Sequence, residues 1–248
     1  MPGINLTSKE AAERSAILKI ENYKVDLDLT TGDQTFNSKA VINFSATPGS
    51  DTFIDAVAKR IIKATLNGNQ IDFSNYDGET LFLNNLAAQN ELFVEMEAIY
   101  SKTGEGLHRF VDPADGEVYL YSQHQAADSR RTFASFDQPD LKATYEFTVL
   151  APSKWEVISN SPVVDRKNVA EGKDLWTYKK TQRFSTYLTC FVAGPYHYVT
   201  DEYKGEKTIP LGIYCRKSFD HHSKRIWFES LIQSCRQVHG KLLCMFRC

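Results

Sequence analysis

The sequence of 248 residues lacks long apolar runs, an excess of charge and a secretory leader. Its longest apolar runs, such as residues 187–194, are far shorter than the roughly 20 residues that a spanning helix needs. Lysine and arginine number 29 against 31 aspartates and glutamates, a net charge of −2, so nothing favours nucleic acid or an anionic membrane. The N-terminal residues are polar and mixed in charge, unlike a signal peptide. We therefore expect a cytoplasmic protein with neither nucleic acid nor membrane as partner.

Cysteine is scarce as well. The five cysteines are an odd number, and three of them stand near the C-terminal end, at positions 235, 244 and 248. Disulfide frameworks belong to small secreted domains with dense and even cysteine counts, so we expect free thiols. A zinc site made of these three cysteines and His239 is a weaker alternative, because spacing alone does not arrange four ligands in a tetrahedron.

The short motifs that identify several enzyme classes are also absent. The sequence has no His-Glu-x-x-His zinc motif, no Gly-x-Ser-x-Gly turn and no phosphate-binding loop. The adjacent histidines His221 and His222 point about 100° apart on a helix, which does not suit ligands of one metal. Carboxylates are plentiful, so a glycosidase with two acidic residues stays open as a default.

What is present is a series of short strands. Thr7 and Glu10 have the spacing of a capping box, which predicts a short opening helix. An Asn67-Gly68 turn between alternating runs predicts a hairpin. The frequent strands, without a long helical window between residues 20 and 200, predict an antiparallel all-β domain of sandwich or barrel type. Apolar and polar residues alternate in residues 23–29, 40–46, 92–96, 143–149, 175–178 and 196–199.

Several segments interrupt this pattern. Residues 102–117 contain three glycines and a proline, which predicts a loop. Residues 123–141 form a long polar connection, and long connections in compact domains are often functional. Residues 203–210 are predicted to be a linker and residues 211–214 one further strand. From Asp220 onward, apolar residues at spacings of three and four predict a helix.

One block of the sequence resembles a known family. Residues 106–113 are Gly-Leu-His-Arg-Phe-Val-Asp-Pro, and residues 119–123 are Tyr-Leu-Tyr-Ser-Gln. Together with residues 127–131, 136–143, 155–160 and 185–194, this block resembles the N-terminal domain of the aminopeptidase N family of zinc metallopeptidases, which are gluzincins. The actinobacterial branch is the most similar. The resemblance extends over residues 5–238.

The resemblance implies a fold and a domain division. Residues 1–205 are expected to form a large, antiparallel, saddle-shaped β domain like a sandwich. Residues 206–248 are expected to be the truncated start of a thermolysin-like α/β catalytic domain, one strand and one helix, with an unmatched tail at residues 240–248. The chain is therefore expected to stop before the zinc motif of the family.

The resemblance also implies a site for the substrate's α-amine. In the family, a glutamine after the Tyr-Leu-Tyr strand and a glutamate two positions later hold that amine. These positions are Gln123 and Gln125 here, and the second is a departure, because a carboxylate forms a stronger, charge-assisted bond to an ammonium. His124 stands where the family has an apolar or aromatic residue. Other residues are expected to brace and pack the same connection: Asp128, Arg130, Arg131, Phe133, Phe136 and Pro139.

The sequence thus predicts the N-terminal portion of a cytoplasmic zinc aminopeptidase, which removes N-terminal residues from peptides with a free N-terminus. Zinc is implied for the full-length enzyme, with ligands outside this chain. We therefore expect no catalytic residue and no activity in the chain alone. One alternative is a stand-alone, non-catalytic β module that binds peptides. Another is self-association through the apolar face of the helix that is predicted from Asp220.

Overall fold

The structure, a computed structural model, describes residues 6–204 and 208–219. Helix α1 spans Ser8–Ile17, and short 3₁₀ helices span Ser129–Arg131, Thr186–Leu188 and Lys217–Phe219. The predicted mainly β fold class is confirmed, since most elements are strands. None of the described helices is long and apolar enough to cross a lipid bilayer. The strands are β1 (Leu18–Asp28), β2 (Thr35–Ala46), β3 (Thr52–Asp55), β4 (Arg60–Leu66), β5 (Asn69–Gln70), β6 (Thr80–Leu83), β7 (Gln89–Ile99), β8 (Gly106–Val111), β9 (Val118–Gln123), β10 (Thr144–Pro152), β11 (Glu156–Ser159), β12 (Val163–Ala170), β13 (Lys173–Tyr178), β14 (Phe191–Gly194), β15 (Tyr196–Lys204) and β16 (Thr208–Arg216).

The chain divides into two compact units. Of the described residues, the larger unit comprises residues 6–109, 120–153 and 157–192, and the smaller comprises residues 110–119, 154–156, 193–204 and 208–219. The domain boundary that we predicted between residues 205 and 206 falls between the paired strands β15 and β16. Residues 205–207 lie outside the described residues, and this boundary stays a prediction.

Helix α1 begins where the sequence predicts. The Thr7 hydroxyl accepts a hydrogen bond from the Glu10 N–H at 3.2 Å, and the Glu10 carboxylate accepts one from the Thr7 N–H at 2.8 Å. This reciprocal capping box satisfies two backbone donors that a helix start otherwise leaves unpaired. Arg14 is the buried residue of the helix, 3% exposed, and it connects α1 to the candidate site described below.

A large sheet dominates the larger unit. Its strand order is β12-β13-β10-β1-β2-β7-β4-β5. Buried and more exposed residues alternate along β1, β2, β7 and β10, because successive side chains of a strand point to opposite faces. β1 pairs with β2 antiparallel but with β10 parallel, so this sheet is mixed and not wholly antiparallel as predicted. Residues 29–143 separate β1 from β10 and provide the long crossover that parallel pairing needs.

Aromatic side chains fill the core of the larger unit. The rings of Tyr23 and Tyr145 stack with centroids 5.2 Å apart, and Phe44 meets the edge of Phe136 at 5.2 Å. Each large side chain that is fully buried contributes about 1.5–3 kcal/mol to stability. The Tyr23 hydroxyl also accepts a hydrogen bond from the Phe136 N–H at 3.1 Å. The core therefore holds the predicted long connection by packing and by a polar contact.

The hairpin predicted at Asn67-Gly68 lies at one edge of the large sheet. Asn67 and Gly68 have positive φ values of 52° and 81° and join β4 to β5, so the predicted hairpin is confirmed. Its second strand stops at Gln70, short of the alternating residues that follow. The remaining sheets have the orders β11-β14-β9-β8, β15-β16 and β3-β6.

The loop predicted for residues 102–117 is wrong in part, because β8 spans Gly106–Val111. This strand lies at the edge of its sheet and is half-exposed, so its sequence shows no clear alternation. The linker predicted for residues 203–210 is also wrong in part. β15 extends to Lys204, and β16, predicted for residues 211–214 only, begins at Thr208. Both strands are largely exposed at this end, which explains their polar composition.

Several predictions concern residues outside the described part of the chain. The helix predicted from Asp220, on which the self-association alternative depends, lies there. The histidine pair at positions 221 and 222, His239 and the three cysteines at positions 235, 244 and 248 lie there as well.

Candidate substrate-binding segment

The long connection predicted between two strands is confirmed. We call residues 123–142 the site segment; it begins with the last residue of β9 and ends just before β10. Within it, only the single 3₁₀ turn Ser129–Arg131 is regular, yet residues 132–138 are all buried. A connection without regular structure must find other partners for its buried polar groups. The partners described below belong to the larger unit.

Gln123 and Gln125, the two predicted site residues, lie at the start of this segment. Gln123 is half-buried and Gln125 is exposed, and the peptide bond between Gln125 and Ala126 is cis. Neither side-chain amide makes a hydrogen bond within residues 6–204 and 208–219. Each amide therefore offers a carbonyl oxygen that can accept a bond from an ammonium group.

Between these glutamines, His124 is buried, with 2% of its surface exposed. Its Nδ1 atom lies 3.0 Å from the Thr189 carbonyl oxygen and 2.8 Å from Thr189 Oγ1. Because a carbonyl oxygen can only accept, Nδ1 carries the proton and donates. Nε2 then accepts from the Thr132 hydroxyl at 2.9 Å. Both ring nitrogens are used, and the ring is neutral in this arrangement.

Further hydrogen bonds connect His124, through Thr189 and Thr186, to Asp137. Thr189 Oγ1 donates to the Thr186 carbonyl oxygen at 2.7 Å, and Thr186 Oγ1 donates to Asp137 Oδ1 at 2.6 Å. Burial lowers the pKa of His124 from 6.5 to about 4, with a smaller opposing effect from the bond to Thr189. Burial also raises the pKa of Asp137. This chain joins the start of the site segment to its buried middle.

A buried ion pair holds the middle of the segment to α1 and β3. Arg14 Nη1 lies 3.0 Å from Asp55 Oδ2, and the same oxygen accepts from the Asp137 N–H at 3.1 Å. Asp55 also exchanges two backbone hydrogen bonds with Ser135, at 3.0 and 2.9 Å. A buried charge must be paired in this way, because desolvation otherwise disfavours it strongly.

Asp128, Arg130 and Arg131 were predicted to brace the connection, and the structure confirms this. Arg131 Nε donates to Asp128 Oδ1 at 2.7 Å, and Arg131 Nη2 lies 3.4 Å from Glu105 Oε2. The Arg130 guanidinium lies 4.0 Å from Asp55 Oδ1.

The predicted packing residues have different outcomes. Phe133 and Phe136 are completely buried, as expected for packing residues, but Pro139 is exposed, so that prediction is wrong for it. Pro139 instead contributes its carbonyl oxygen, which accepts a bond from the Ser185 hydroxyl at 2.5 Å.

Gly106 shows how closely β8 approaches the segment. It has a φ of +64°, and a Cβ atom added there would lie 2.7 Å from Arg131 Cβ. Such a distance is shorter than real side chains allow, so glycine is required both by conformation and by space.

The sequence did not single out several residues that hold the site, namely Arg14, Asp55, Thr132, Thr186 and Thr189. Thr132 belongs to the site segment itself, and the others come from helix α1, strand β3 and the segment before β14, so no spacing pattern connects them. An arginine in the apolar-poor helix α1 was the only available signal. Their role follows from tertiary contacts, which a single sequence does not display.

Among the described residues, no group of three or more histidine, cysteine, aspartate or glutamate side chains is arranged to hold a metal ion. These residues therefore do not fit a zinc site. What the site segment offers is hydrogen-bonding amides on a braced backbone.

The sequence of this chain matches a known family of protein domains. Residues 19–188 match the family model of the peptidase M1 N-terminal domain. The match covers more than half of the chain, which therefore belongs to this family of metallopeptidase domains. This confirms the resemblance to the aminopeptidase N family that the sequence block indicated.

Individual relatives are aminopeptidases. The chain is 45% identical to aminopeptidase N of Streptomyces lividans over 228 residues, which are 90% of this chain and 26% of that protein. It is 30% identical to leucyl aminopeptidase of Saccharolobus solfataricus over 190 residues, which are 76% of this chain and 23% of the relative. The chain thus spans about a quarter of the length of these relatives. The similarity to the actinobacterial branch is confirmed by the first of them.

Proposed function

We propose that this chain forms the amine-binding wall of a zinc aminopeptidase, which removes N-terminal residues from peptides in the cytoplasm. Membership of the peptidase M1 N-terminal domain family and the names of the relatives support this activity. The observation that carries the proposal concerns the amides of Gln123 and Gln125, which make no hydrogen bond to any of the described residues. They lie at the start of a segment that the rest of the unit braces.

The chemistry of this pair suits a protonated α-amine. An ammonium group has three N–H donors and no acceptor, and each glutamine supplies a carbonyl oxygen. Both amides are neutral, so these bonds have a charge on one side only. A carboxylate at position 125, as in the family, would give the stronger bond between two charged groups. We therefore expect weaker anchoring of the amine here than in relatives with glutamate at this position.

Zinc is the metal that the family implies, and its ligands and the catalytic base belong to a part of the enzyme outside the described residues. The contribution of the described residues is to bind and orient the substrate's N-terminus. We expect the purified 248-residue chain to show no turnover of an aminoacyl-anilide and no stoichiometric zinc. Turnover by homogeneous protein would contradict this division of roles.

The binding role is tested with a chimera. In it, the 228-residue region of this chain that matches Streptomyces lividans aminopeptidase N replaces the corresponding region of that enzyme. KM and kcat are then measured with an aminoacyl-anilide. The variant Q125E should lower KM by about tenfold, because one additional charge-assisted bond contributes roughly 1.4 kcal/mol. We expect kcat to change much less.

Two controls accompany this experiment. Q34E makes the same chemical change at an exposed residue between β1 and β2 and should leave KM unchanged. A substrate analogue without the α-amine should bind equally well to the chimera and to Q125E. If Q125E leaves KM unchanged for the amine-bearing substrate, position 125 does not contact the amine and the proposal fails.

A further inference from the structure

His124 lies between the two proposed binding residues, yet its own side chain faces the protein interior. Along the chain, Gln123 is half-buried, His124 is buried and Gln125 is exposed. At the end of a strand, neighbouring side chains point to opposite faces. The buried imidazole therefore lies between two side chains that are both more exposed than it is.

We propose that His124 is a positioning residue, which fixes the backbone between Gln123 and Gln125 so that both amides can reach the substrate's amine. This inference rests on the proposed function. Its basis is the use of both ring nitrogens, by two threonines that are far apart in the chain. Thr132 belongs to the site segment, and Thr189 precedes β14.

The anchor is directional. Nδ1 donates to Thr189 and Nε2 accepts from Thr132, so only one tautomer satisfies both contacts. The ring edges of Phe133 and Phe191, with centroids 6.4 Å from the imidazole, confine it from two further sides. An apolar ring at this position would keep the packing but would remove the imidazole as the partner of the Thr132 hydroxyl and of the Thr189 carbonyl oxygen. A histidine here therefore fixes the backbone more closely than packing alone.

The test uses the chimera described above with the variants H124F and H124N. H124F removes both hydrogen bonds and should raise KM by about fivefold to tenfold, with kcat per active site unchanged within twofold. H124N keeps a donor near the position of Nδ1 and should recover a large part of the loss. A merely structural role would reduce the amount of active enzyme. The apparent kcat per total protein would then fall, while KM would stay unchanged.

The control H197F makes the same substitution in β15 of the smaller unit and should leave KM unchanged. If H124F does not fold, T132V removes only the hydroxyl that donates to Nε2, and it should raise KM by about twofold to fivefold. An unchanged KM in the folded variants overturns the positioning role.

A second measurement uses the 248-residue chain itself. Nitrogen NMR of the imidazole should show a neutral ring protonated at Nδ1, and T132V should shift the Gln123 and Gln125 backbone amides. A ring protonated at Nε2 would overturn the inference. The outcomes also separate the two proposals: if Q125E lowers KM while H124F has no effect, the positioning role alone fails. If Q125E has no effect, the proposed function fails whatever H124F does.

Discussion

The buried ion pair between Arg14 and Asp55 allows a quantitative prediction about stability. Its side chains are 2% and 5% exposed, and Arg14 Nη1 lies 3.0 Å from Asp55 Oδ2. Methionine at position 14 keeps much of the side-chain volume but removes the charge. The Asp55 carboxylate then stays buried with the Asp137 N–H and the more distant Arg130 guanidinium. Removing one partner of a buried pair costs about 3–5 kcal/mol.

The assay is urea unfolding of the 248-residue chain, followed by the fluorescence of its tryptophans, of which Trp155 and Trp176 are buried. R14M should lower the free energy of unfolding by about 3–5 kcal/mol, a large share of the roughly 5–15 kcal/mol of a typical domain. The matched control K9M removes a lysine from the same helix. Lys9 and Glu13 form an exposed pair at 3.8 Å, so K9M should leave the transition unchanged.

A loss below about 1 kcal/mol for R14M would refute the reasoning, because it would mean that the buried Asp55 side chain does not depend on Arg14 as its partner. The double variant R14M/D55N provides a second check. D55N removes the charge that R14M leaves unpaired. The double variant should therefore lose less stability than the sum of the two single losses. Simple additivity would show that the two side chains are not coupled.

Two further predictions concern the site segment. Because the pKa of His124 is about 4 in the folded chain and near 6.5 when unfolded, only the unfolded chain takes up the proton between these values, so stability should fall as pH decreases from 6.5 to 4. The loss of stability should approach about 3 kcal/mol at low pH and should be absent in H124F. Comparing the two proteins cancels the opposite effect of Asp137. Equal pH profiles of the free energy of unfolding would contradict the prediction. G106A should destabilise the chain by about 1–3 kcal/mol in urea unfolding, because Gly106 has a positive φ and its added Cβ would meet Arg131. G116A, at a similar φ of +69° with open space around it, should cost less, and equal losses would show that the contact with Arg131 is unimportant.

Local features of the fold could be predicted from the sequence. The capping box of Thr7 and Glu10 and the Asn67-Gly68 turn involve residues close together in the chain, so their geometry follows from their own chemistry. The alternating strands were equally clear, since one of their faces is buried. Strand β8 was missed because it is a half-exposed edge strand that contains and follows glycine.

The supports of the candidate site could not be predicted in the same way. Arg14 and Asp55 are 41 residues apart, and the hydrogen bond from Arg14 to Gln138 joins residues 124 apart. The contact of His124 with Thr189 depends on where the segment before β14 lies, which no local pattern reveals. The family resemblance nominated Gln123 and Gln125. Only the structure shows that their amides make no hydrogen bond to the described residues, and that the histidine between them is anchored by two threonines.

The central claim is that Gln123 and Gln125 together bind the substrate's α-amine. The most direct measurement is a crystal structure of the chimera with a bound amino acid, the product of the proposed reaction. The account predicts that the amine nitrogen lies about 3 Å from the side-chain oxygens of both glutamines. An amine held elsewhere, with both oxygens more than about 4 Å away, would contradict it.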